Sequence, residues 1–184
     1  MSSVEQSHHA APNPSAFDFE QVFLPHLGAA YNFARWILHN DQDAEDAVQE
    51  ACLRAHKAMG RFRGGDGKAW LMTIVRNVCY TMLKKTKGHE TQEAFDEEIH
   101  QPATEAERRQ EFQKKANAET LHAALERLPH DFREVIVLHD LEGFAYKEIA
   151  DVVGIPIGTV MSRLARSRTR LREEIIAGQS KEIS

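Results

Sequence analysis

Two short apolar stripes separated by a five-residue turn constrain the fold of this chain more than any other feature. One stripe lies between Tyr146 and Val153 and the other between Val160 and Leu171, both at the three- and four-residue spacing of an amphipathic helix. The segment between them, GIPIG (154–158), leaves room only for a tight turn, and glycine tolerates the backbone angles that such turns need. The sequence therefore predicts a helix-turn-helix.

The second helix of this motif concentrates positive charge in an acidic chain. Five arginines and no acid lie between 163 and 172, although the formal net charge of the 184 residues is −5. The inward side is predicted to consist of Val160, Leu164, Leu171 and the methylene stem of Arg168. If the helix enters a DNA major groove, its outward side contacts base edges near the N-terminus and phosphates further along. The DNA-contacting side chains predicted on this basis are Thr159, Ser162, Arg163, Arg166, Arg168 and Arg170, together with Arg172 on phosphate. A solvated arginine-rich face is the alternative.

The N-terminal half is also helical by its periodicity, from Phe17 to about Lys85. A second helix is predicted to open with Asp41 or Asp43 as its cap. A glycine-rich break, GRFRGGDG (60–67), separates it from a third helix. No alternating β pattern is present, so this half is predicted to be an all-α bundle.

The charge pattern divides the chain into two helical domains. Residues 88–107 contain no Lys or Arg, and seven acids lie between 90 and 107, which is typical of a poorly ordered acidic linker. The predicted organisation is a disordered tail (1–16), a helical domain (17–87), a flexible acidic linker (88–118), a helix-turn-helix domain (119–176) and a second tail (177–184).

Composition excludes several classes of function. No apolar run approaches the ~18 residues that span a bilayer, and no signal peptide opens the chain, so a cytoplasmic protein without membrane insertion is expected. Cys52 and Cys79 are then expected to be reduced core thiols. The glycine-rich break is not a nucleotide-binding loop, because Ala69 follows Gly67-Lys68. No catalytic or metal-ligating arrangement is recognisable, and neither enzyme activity nor a cofactor is expected.

Two sequence blocks then point to a known family. The segment LERLPHDFREVIVLHDLEGFAYKEIADVVGIPIGTVMSRLARSRTRLRE resembles the promoter-binding C-terminal domain of bacterial extracytoplasmic-function (ECF) sigma factors. The upstream blocks DAEDAVQEACLRAHKAMGRF and AWLMTIVRNVCY are similar to their N-terminal core domain. The resemblance covers roughly residues 17–174, with both domains in order, and implies an alternative sigma factor, a non-enzymatic and dissociable subunit of RNA polymerase.

The resemblance also implies roles for particular residues. Core RNA polymerase is expected to bind through its β′ coiled coil, on the acidic face of the second helix, and through its β flap. Promoter opening at the −10 element is implied for a loop and the helix that follows it, while the C-terminal helix is expected to contact the −35 element. The polymerase-binding residues are Asp46, Gln49 and Glu50. The −10 residues are Arg61, Phe62, Arg63, Arg76, Asn77, Tyr80 and Lys84.

The sequence departs from the family pattern at two informative positions. Ala145 stands where relatives have a capping Ser or Thr, and Met161 stands where Lys or Arg is common. The −35 preference of the family is therefore not transferred to this chain.

Two other functions stay open, a sigma-like decoy that titrates an anti-sigma factor and a free helix-turn-helix regulator. An anti-sigma factor is a further candidate partner.

Overall fold

The computed structural model describes residues 19–86 and 117–182. All regular structure within these two ranges is helical, so the predicted all-α class is confirmed. The predicted tail at 1–16 lies outside the described residues, as does the predicted linker except for 117–118, which are helical. We refer to residues 19–86 as the N-terminal unit and to residues 117–182 as the C-terminal unit.

The N-terminal unit is a bundle of three long helices preceded by a short one. The turn before α2 is a 3₁₀ helix, Leu24–His26, because Pro25 has no N–H to donate and disfavours a continuous α-helix. Its α-helices are α1 (Phe19–Phe23), α2 (Leu27–Leu38), α3 (Asp41–Ala58) and α4 (Gly67–Thr86).

The start of α3 differs from the sequence prediction in its cap. The helix begins at Asp41, but the side chain of Asn40 is the cap, accepting the Asp43 N–H at 2.8 Å. Asp41 instead accepts hydrogen bonds from Arg35 and from the Tyr31 hydroxyl. These contacts tie the first turn of α3 to the end of α2, since both donors belong to α2.

The C-terminal unit contains four α-helices packed around buried apolar side chains, among them Val135 and Ile149. A π-helical turn, Val137–Leu141, follows the second of them. The helix carrying the arginines continues to Glu182, six residues beyond the predicted end of the domain at 176. The helices are α5 (described over 117–126), α6 (His130–Ile136), α7 (Tyr146–Val153) and α8 (Ile157–Glu182).

The buried face of α8 confirms two predicted residues and changes a third. Val160 and Leu164 are buried, as expected. Ser167 is fully buried, whereas Arg168 is exposed, so the hydroxyl side chain occupies the inward position assigned to the arginine stem. The Ser167 hydroxyl donates to the Arg163 carbonyl at 2.6 Å, which satisfies its hydrogen bond without leaving the helix.

The two units pack directly against each other. Helix α4 lies against α7, and α2 lies against α6. Buried residues of both units belong to one contiguous hydrophobic cluster, in which Val75 and Val78 of α4 and Ile149 of α7 are members. This packing decides which predicted DNA-binding side chains are accessible.

Candidate nucleic-acid interface

The helix-turn-helix is held by local backbone chemistry at both ends of α7. Gly154 ends the helix at φ 74°, in the left-handed region, and its N–H donates to the Ala150 carbonyl at 2.9 Å. At the other end Ala145 has no side-chain acceptor. The Glu148 carboxylate nevertheless accepts the Ala145 N–H at 2.7 Å, which is half of a capping box. The motif therefore forms without the Ser or Thr cap.

The outer edge of α8 near its N-terminus presents the polar side chains predicted to contact bases. Ser162 and Arg166 are exposed, and Thr159 is half-buried. Arg166 Nε donates to the Ser162 carbonyl at 3.2 Å, so its guanidinium lies back along the helix. Among the described residues, no carboxylate pairs with Arg166. Its charge is therefore accessible to an incoming nucleic acid.

Arg168, predicted to contact phosphate, has a bidentate partner within its own unit. Its guanidinium donates to the two carboxylate oxygens of Asp140 at 2.6 and 3.1 Å. The hydrogen bond from Arg168 is the main cause that lowers the pKa of Asp140 below its usual value. The Arg168 side chain is nevertheless exposed. Exposed pairs contribute only about 0–1 kcal/mol, so a DNA phosphate can displace Asp140.

Two other arginines of α8 are also paired with acids. Arg163 Nη2 lies 3.0 Å from Asp131 Oδ2 on α6. Arg170 bridges Glu173 at 3.2 Å and Glu174 at 3.0 Å along its own helix. The positive charge that looked unopposed in the sequence is thus partly neutralised by acids on either side of the segment.

The loop before α4 separates its three predicted −10 residues into two environments. Arg61 and Arg63 are exposed, and Arg63 donates to the Gly60 carbonyl at 3.3 Å. Phe62 is only 5% exposed, with its ring 5.6 Å from Phe23 and 5.3 Å from Trp70 between centroids. This ring packs in an aromatic core cluster and is not presented to a base.

The four predicted −10 residues of α4 are similarly divided. Asn77 and Lys84 are exposed, but Arg76 and Tyr80 are half-buried beneath the C-terminal unit. Arg76 Nε donates to Glu134 Oε1 of α6 at 2.5 Å, and Nη2 donates to Oε2 at 3.3 Å. The Arg76 guanidinium also lies 4.6 Å from the centroid of the Tyr80 ring. Both side chains are therefore engaged inside the molecule.

Burial perturbs the titration of this group of side chains. Burial raises the pKa of Glu134, and the hydrogen bond from Arg76 opposes the shift. Burial acts to lower the pKa of Arg76, but the bond to Glu134 outweighs it and the pKa is raised. The pKa of Tyr80 rises to about 12, first through burial and then through the nearby Glu134 charge. Each charge thus favours the charged form of the other, while burial opposes the charged form of both.

Further contacts join the units on either side of this pair. Lys68 Nζ donates to the Glu142 carbonyl at 2.6 Å and lies 4.6 Å from the centroid of the Phe144 ring. The buried Arg133 donates to the Trp36 carbonyl at 3.3 Å. We call these contacts, with Arg76–Glu134, the inter-unit interface.

Sequence reasoning missed the C-terminal side of the inter-unit interface. Arg133 and Glu134 interrupt an apolar run, and both are buried. Two adjacent charges inside such a run are a recognisable signal, because charged side chains are buried only when paired. Arg133 donates to nearby carbonyls, including those of Leu125 and Leu128, but also to that of Trp36, and the partner of Glu134 is Arg76; Trp36 and Arg76 lie far away in the sequence.

The acidic face of α3 lies away from the inter-unit interface. Asp46 and Gln49 are exposed, and Glu50 is half-buried. Glu50 Oε1 accepts from Arg54 at 2.6 Å along the helix, and Asp46 accepts from Gln42 at 3.3 Å. All three predicted polymerase-binding side chains therefore share one accessible helix surface.

Residues 19–86 and 117–182 contain no group of three or more His, Cys, Asp or Glu side chains placed to hold a metal ion. None of the helices in the part of the chain that the structure describes combines the length and apolarity needed to cross a membrane. Cys79 is buried, and burial raises its pKa to about 12, whereas Cys52 is half-buried.

Comparison with known families matches both units in order. The model of Sigma-70 region 2 matches residues 22–89, and the model of Sigma-70 region 4 matches residues 118–171. These ranges coincide closely with the N-terminal and C-terminal units.

Individual relatives agree with the family models. The ECF RNA polymerase sigma factor SigM of Mycobacterium tuberculosis is 36% identical over 167 residues, covering 89% of this chain and 79% of the relative. SigE of Mycolicibacterium smegmatis is 32% identical over 156 residues, which are 84% of this chain but only 60% of SigE. Among solved structures, the sigma factor RpoE of Bartonella quintana, in complex with the anti-sigma factor NepR, has a TM-score of 0.70 and 30% identity. That similarity covers 86% of this chain and 96% of RpoE.

Proposed function

The chain belongs to the sigma-70 family, in the ECF group of RNA polymerase sigma factors, and from that premise we propose that it binds core RNA polymerase and directs initiation at its own promoters. The family consists of non-enzymatic transcription initiation factors. In this proposal the C-terminal unit contacts the −35 element, and the N-terminal unit docks on polymerase and opens the −10 element.

One observation carries the proposal: the chain places an exposed acidic helix face and an exposed helix-turn-helix edge on two units of one polypeptide. A free regulator needs the DNA-contacting edge but not the acidic face of α3. Asp46, Gln49 and Glu50 suit a basic partner surface such as the β′ coiled coil, because complementary charge speeds and orients association. Ser162, Arg166 and the helix N-terminus suit the major groove.

The −10 role is proposed for the accessible part of the α4 surface. Asn77 offers both a donor and an acceptor to an unstacked base. Arg61, Arg63 and Lys84 are exposed cations suited to backbone phosphates. Arg76 and Tyr80 join this surface once Glu134 no longer holds them. Phe62 is left out of the proposed base-contacting surface because its ring is in the core.

Run-off transcription tests the proposal. Core polymerase is incubated with the full chain and fragments of the native genome, and transcript starts are mapped. We expect starts downstream of a shared two-part motif, and we expect Asp46→Lys to abolish them without altering duplex binding by the C-terminal unit. A matched control is Glu119→Lys, which makes the same charge reversal at an exposed position outside α3 and should leave the transcripts unchanged.

The same assay separates the alternatives. A decoy binds an anti-sigma factor but supports no initiation with core polymerase. A free helix-turn-helix regulator binds duplex DNA equally well with and without polymerase, and Asp46→Lys leaves its activity unchanged. Failure to initiate on any native promoter contradicts the sigma-factor proposal.

An anti-sigma factor is a proposed partner, supported by the relative of known structure that was crystallised with NepR. Affinity purification of the chain from its native host tests this proposal. We expect a stoichiometric partner that is displaced by core polymerase. Recovery of the chain with polymerase subunits alone contradicts it.

A further inference from the structure

An apolar strip lies on α8 beside the polar edge that contains Ser162 and Arg166. Ile157 is 49% exposed and Met161 is 52% exposed, and the exposed Ala165 continues the strip at a spacing of four residues. Residues four apart lie on one helix face, so these side chains form one surface in the first three turns of α8.

This surface is unusual for a segment that must stay in water. Large apolar side chains at a helix N-terminus ordinarily pack on the domain, as Val160 and Leu164 do here. The apolar strip instead lies on the solvent side of α8, next to the polar edge that carries Ser162 and Arg166. Arg166 lies one residue from Ala165, and no described carboxylate pairs with it. A polyanion that also carries apolar groups fits this surface, because its negative charge suits Arg166 and its apolar groups suit the strip.

Thymine is the base that offers an apolar group in the major groove, its C5-methyl, whereas the other bases present donors and acceptors there. We propose that Met161, flanked by Ile157 and Ala165, contacts thymine methyl groups in the upstream promoter element. This inference rests on the proposed function of α8, and it adds that the element contains thymine beside the base contacted by Arg166. A cation at position 161 has no such preference, because it seeks guanine or phosphate.

Selection followed by base replacement tests the inference. Holoenzyme of core polymerase and the full chain selects from duplexes randomised over the upstream element, and the affinity of the selected duplex is measured. Each thymine is then replaced in turn by deoxyuridine, which removes only the methyl group. We expect one or two replacements to weaken binding about fourfold each, the effect of withdrawing one buried methyl from an apolar contact.

Two variants test whether the loss of affinity on deoxyuridine replacement comes from Met161. In Met161→Ala the deoxyuridine penalty disappears, while in Ile176→Ala, which truncates an equally exposed side chain about four turns along α8, it persists. Selection of elements without thymine overturns the inference, as does an unchanged penalty in Met161→Ala. Either result leaves the function of α8 intact if Arg166→Ala still weakens binding. Failure to select any duplex contradicts the proposed function itself.

A second inference rests on the inter-unit interface. Arg76 and Tyr80 share a face of α4 with Asn77 and Lys84, and α6 covers the first two through Glu134. A strand that reaches Asn77 along this face meets the Arg76–Glu134 pair. We infer that this closed arrangement withholds the α4 face from single-stranded DNA until the units separate.

Charges contribute to the closed arrangement together with the apolar packing of α4 on α7. Arg76–Glu134 and Lys68–Glu142 are ion pairs across the interface, at 2.5 and 3.6 Å. A partner that competes for either charge favours separation, and a nucleic-acid phosphate competes for Arg76. The acidic face of α3 is open in the same arrangement, so docking on polymerase does not require prior separation.

Two variants with opposite charge changes test this inference. Binding of a fluorescent single-stranded oligonucleotide, carrying the non-template −10 sequence of a mapped promoter, is measured with the full chain. Glu134→Gln weakens a charge-assisted pair, and we expect about fivefold tighter binding. Lys68→Met removes a positive charge, which by itself weakens DNA binding, yet we expect tighter binding because an inter-unit contact is lost.

The control is Glu119→Gln, which removes an exposed acid of the C-terminal unit. The inference is overturned if Glu134→Gln gains no more affinity than this control, or if Lys68→Met binds more weakly than the wild-type chain. An oligonucleotide that no variant binds contradicts the proposed −10 role of α4.

Discussion

The two candidate DNA-binding surfaces carry similar side chains but differ in what covers them. On α8, Arg168 and Arg163 pair with acids of their own unit, at the rim of a surface that stays exposed. On α4, Arg76 pairs with Glu134 of the other unit, and the same contact covers Tyr80. Contact with duplex DNA through α8 therefore needs no movement of the units, whereas full use of the α4 face does.

This difference matches the chemistry proposed for each surface. Duplex DNA is present before the promoter opens, so the surface proposed to bind it can stay exposed. A single strand is available only after opening, and a permanently exposed cationic and aromatic surface binds single strands with little sequence preference. In the proposed function, covering the α4 face postpones this binding until the duplex contact has been made.

The largest expected effect comes from removing the support of α8. Leu164 is buried between α8 and the rest of the C-terminal unit, so Leu164→Ala should lower the free energy of unfolding by about 2–5 kcal/mol. Urea denaturation measures the loss. Duplex binding should fall with it, while single-strand binding by α4 is retained or increased. Equal loss of both activities would show that the two surfaces do not act separately.

The next effect concerns base contact on the exposed surface. Arg166→Ala should reduce discrimination at one base pair of the upstream element by roughly 1–3 kcal/mol. Arg172→Ala is the matched control, because its exposed side chain is proposed to contact phosphate and should weaken all duplexes alike. Competition binding against single-base variants distinguishes the two. Identical profiles for both substitutions would remove Arg166 from base contact.

A smaller effect is expected for Asn77, which is exposed on the partly covered face of α4. Asn77→Ala removes hydrogen bonds to an unstacked base, at about 0.5–1.5 kcal/mol each, and should lower the fraction of open promoter complexes. Binding in the closed complex should be unchanged. Permanganate reactivity of the −10 thymines measures opening, and gel shift at low temperature measures closed-complex binding. An equal decrease in both measurements argues against the assigned role.

The smallest expected effect is a dependence of folding stability on pH that arises where the two units meet. Burial and the neighbouring Arg133 lower the pKa of His39 to about 4, with Glu126 opposing them; His130 and His122 also lie close to this group. Because the folded pKa lies below the ordinary 6.5, the unfolded chain binds the proton first, and stability falls as the pH drops from about 6.5 towards 4.

The corresponding variant is His39→Asn, since asparagine tolerates the left-handed φ of 57° at this position. Between pH 7 and 5 the full shift corresponds to about 2 kcal/mol, and because the His39 ring is partly exposed we expect the wild-type chain to lose about half of this more than the variant, as measured by urea midpoints. If the wild-type chain and the variant show the same pH dependence of stability, His39 is not its source.

The comparison also shows which parts of the molecule a sequence can predict. Helices, the Gly154 turn and the acidic face of α3 follow from local spacing, and each lies within one segment of chain. The Arg76–Glu134 pair joins residues 58 positions apart, and no periodicity specifies which helix of one unit meets which helix of the other. Tyr80 looked exposed for that reason.

Two smaller differences have local causes. Phe62 was assigned to the −10 loop by resemblance, but its ring is the apolar group of that loop and packs on Phe23 and Trp70. Asn40 is the cap in place of the predicted Asp41 or Asp43; it accepts the Asp43 N–H, and the Asp41 carboxylate accepts from Arg35. In both cases the contacts that a side chain makes in the folded molecule, and not its residue type alone, decide its role.

The proposed release of the covered α4 face at a promoter is tested most directly by an intramolecular distance. Donor and acceptor dyes are placed at the exposed positions of Asn32→Cys and Lys147→Cys, in a chain carrying Cys52→Ser and Cys79→Ala. Energy transfer is then compared between the free chain and its complex with core polymerase and promoter DNA. We expect high transfer in the free chain and a marked decrease in the open promoter complex. Unchanged transfer in a complex that initiates transcription would contradict it.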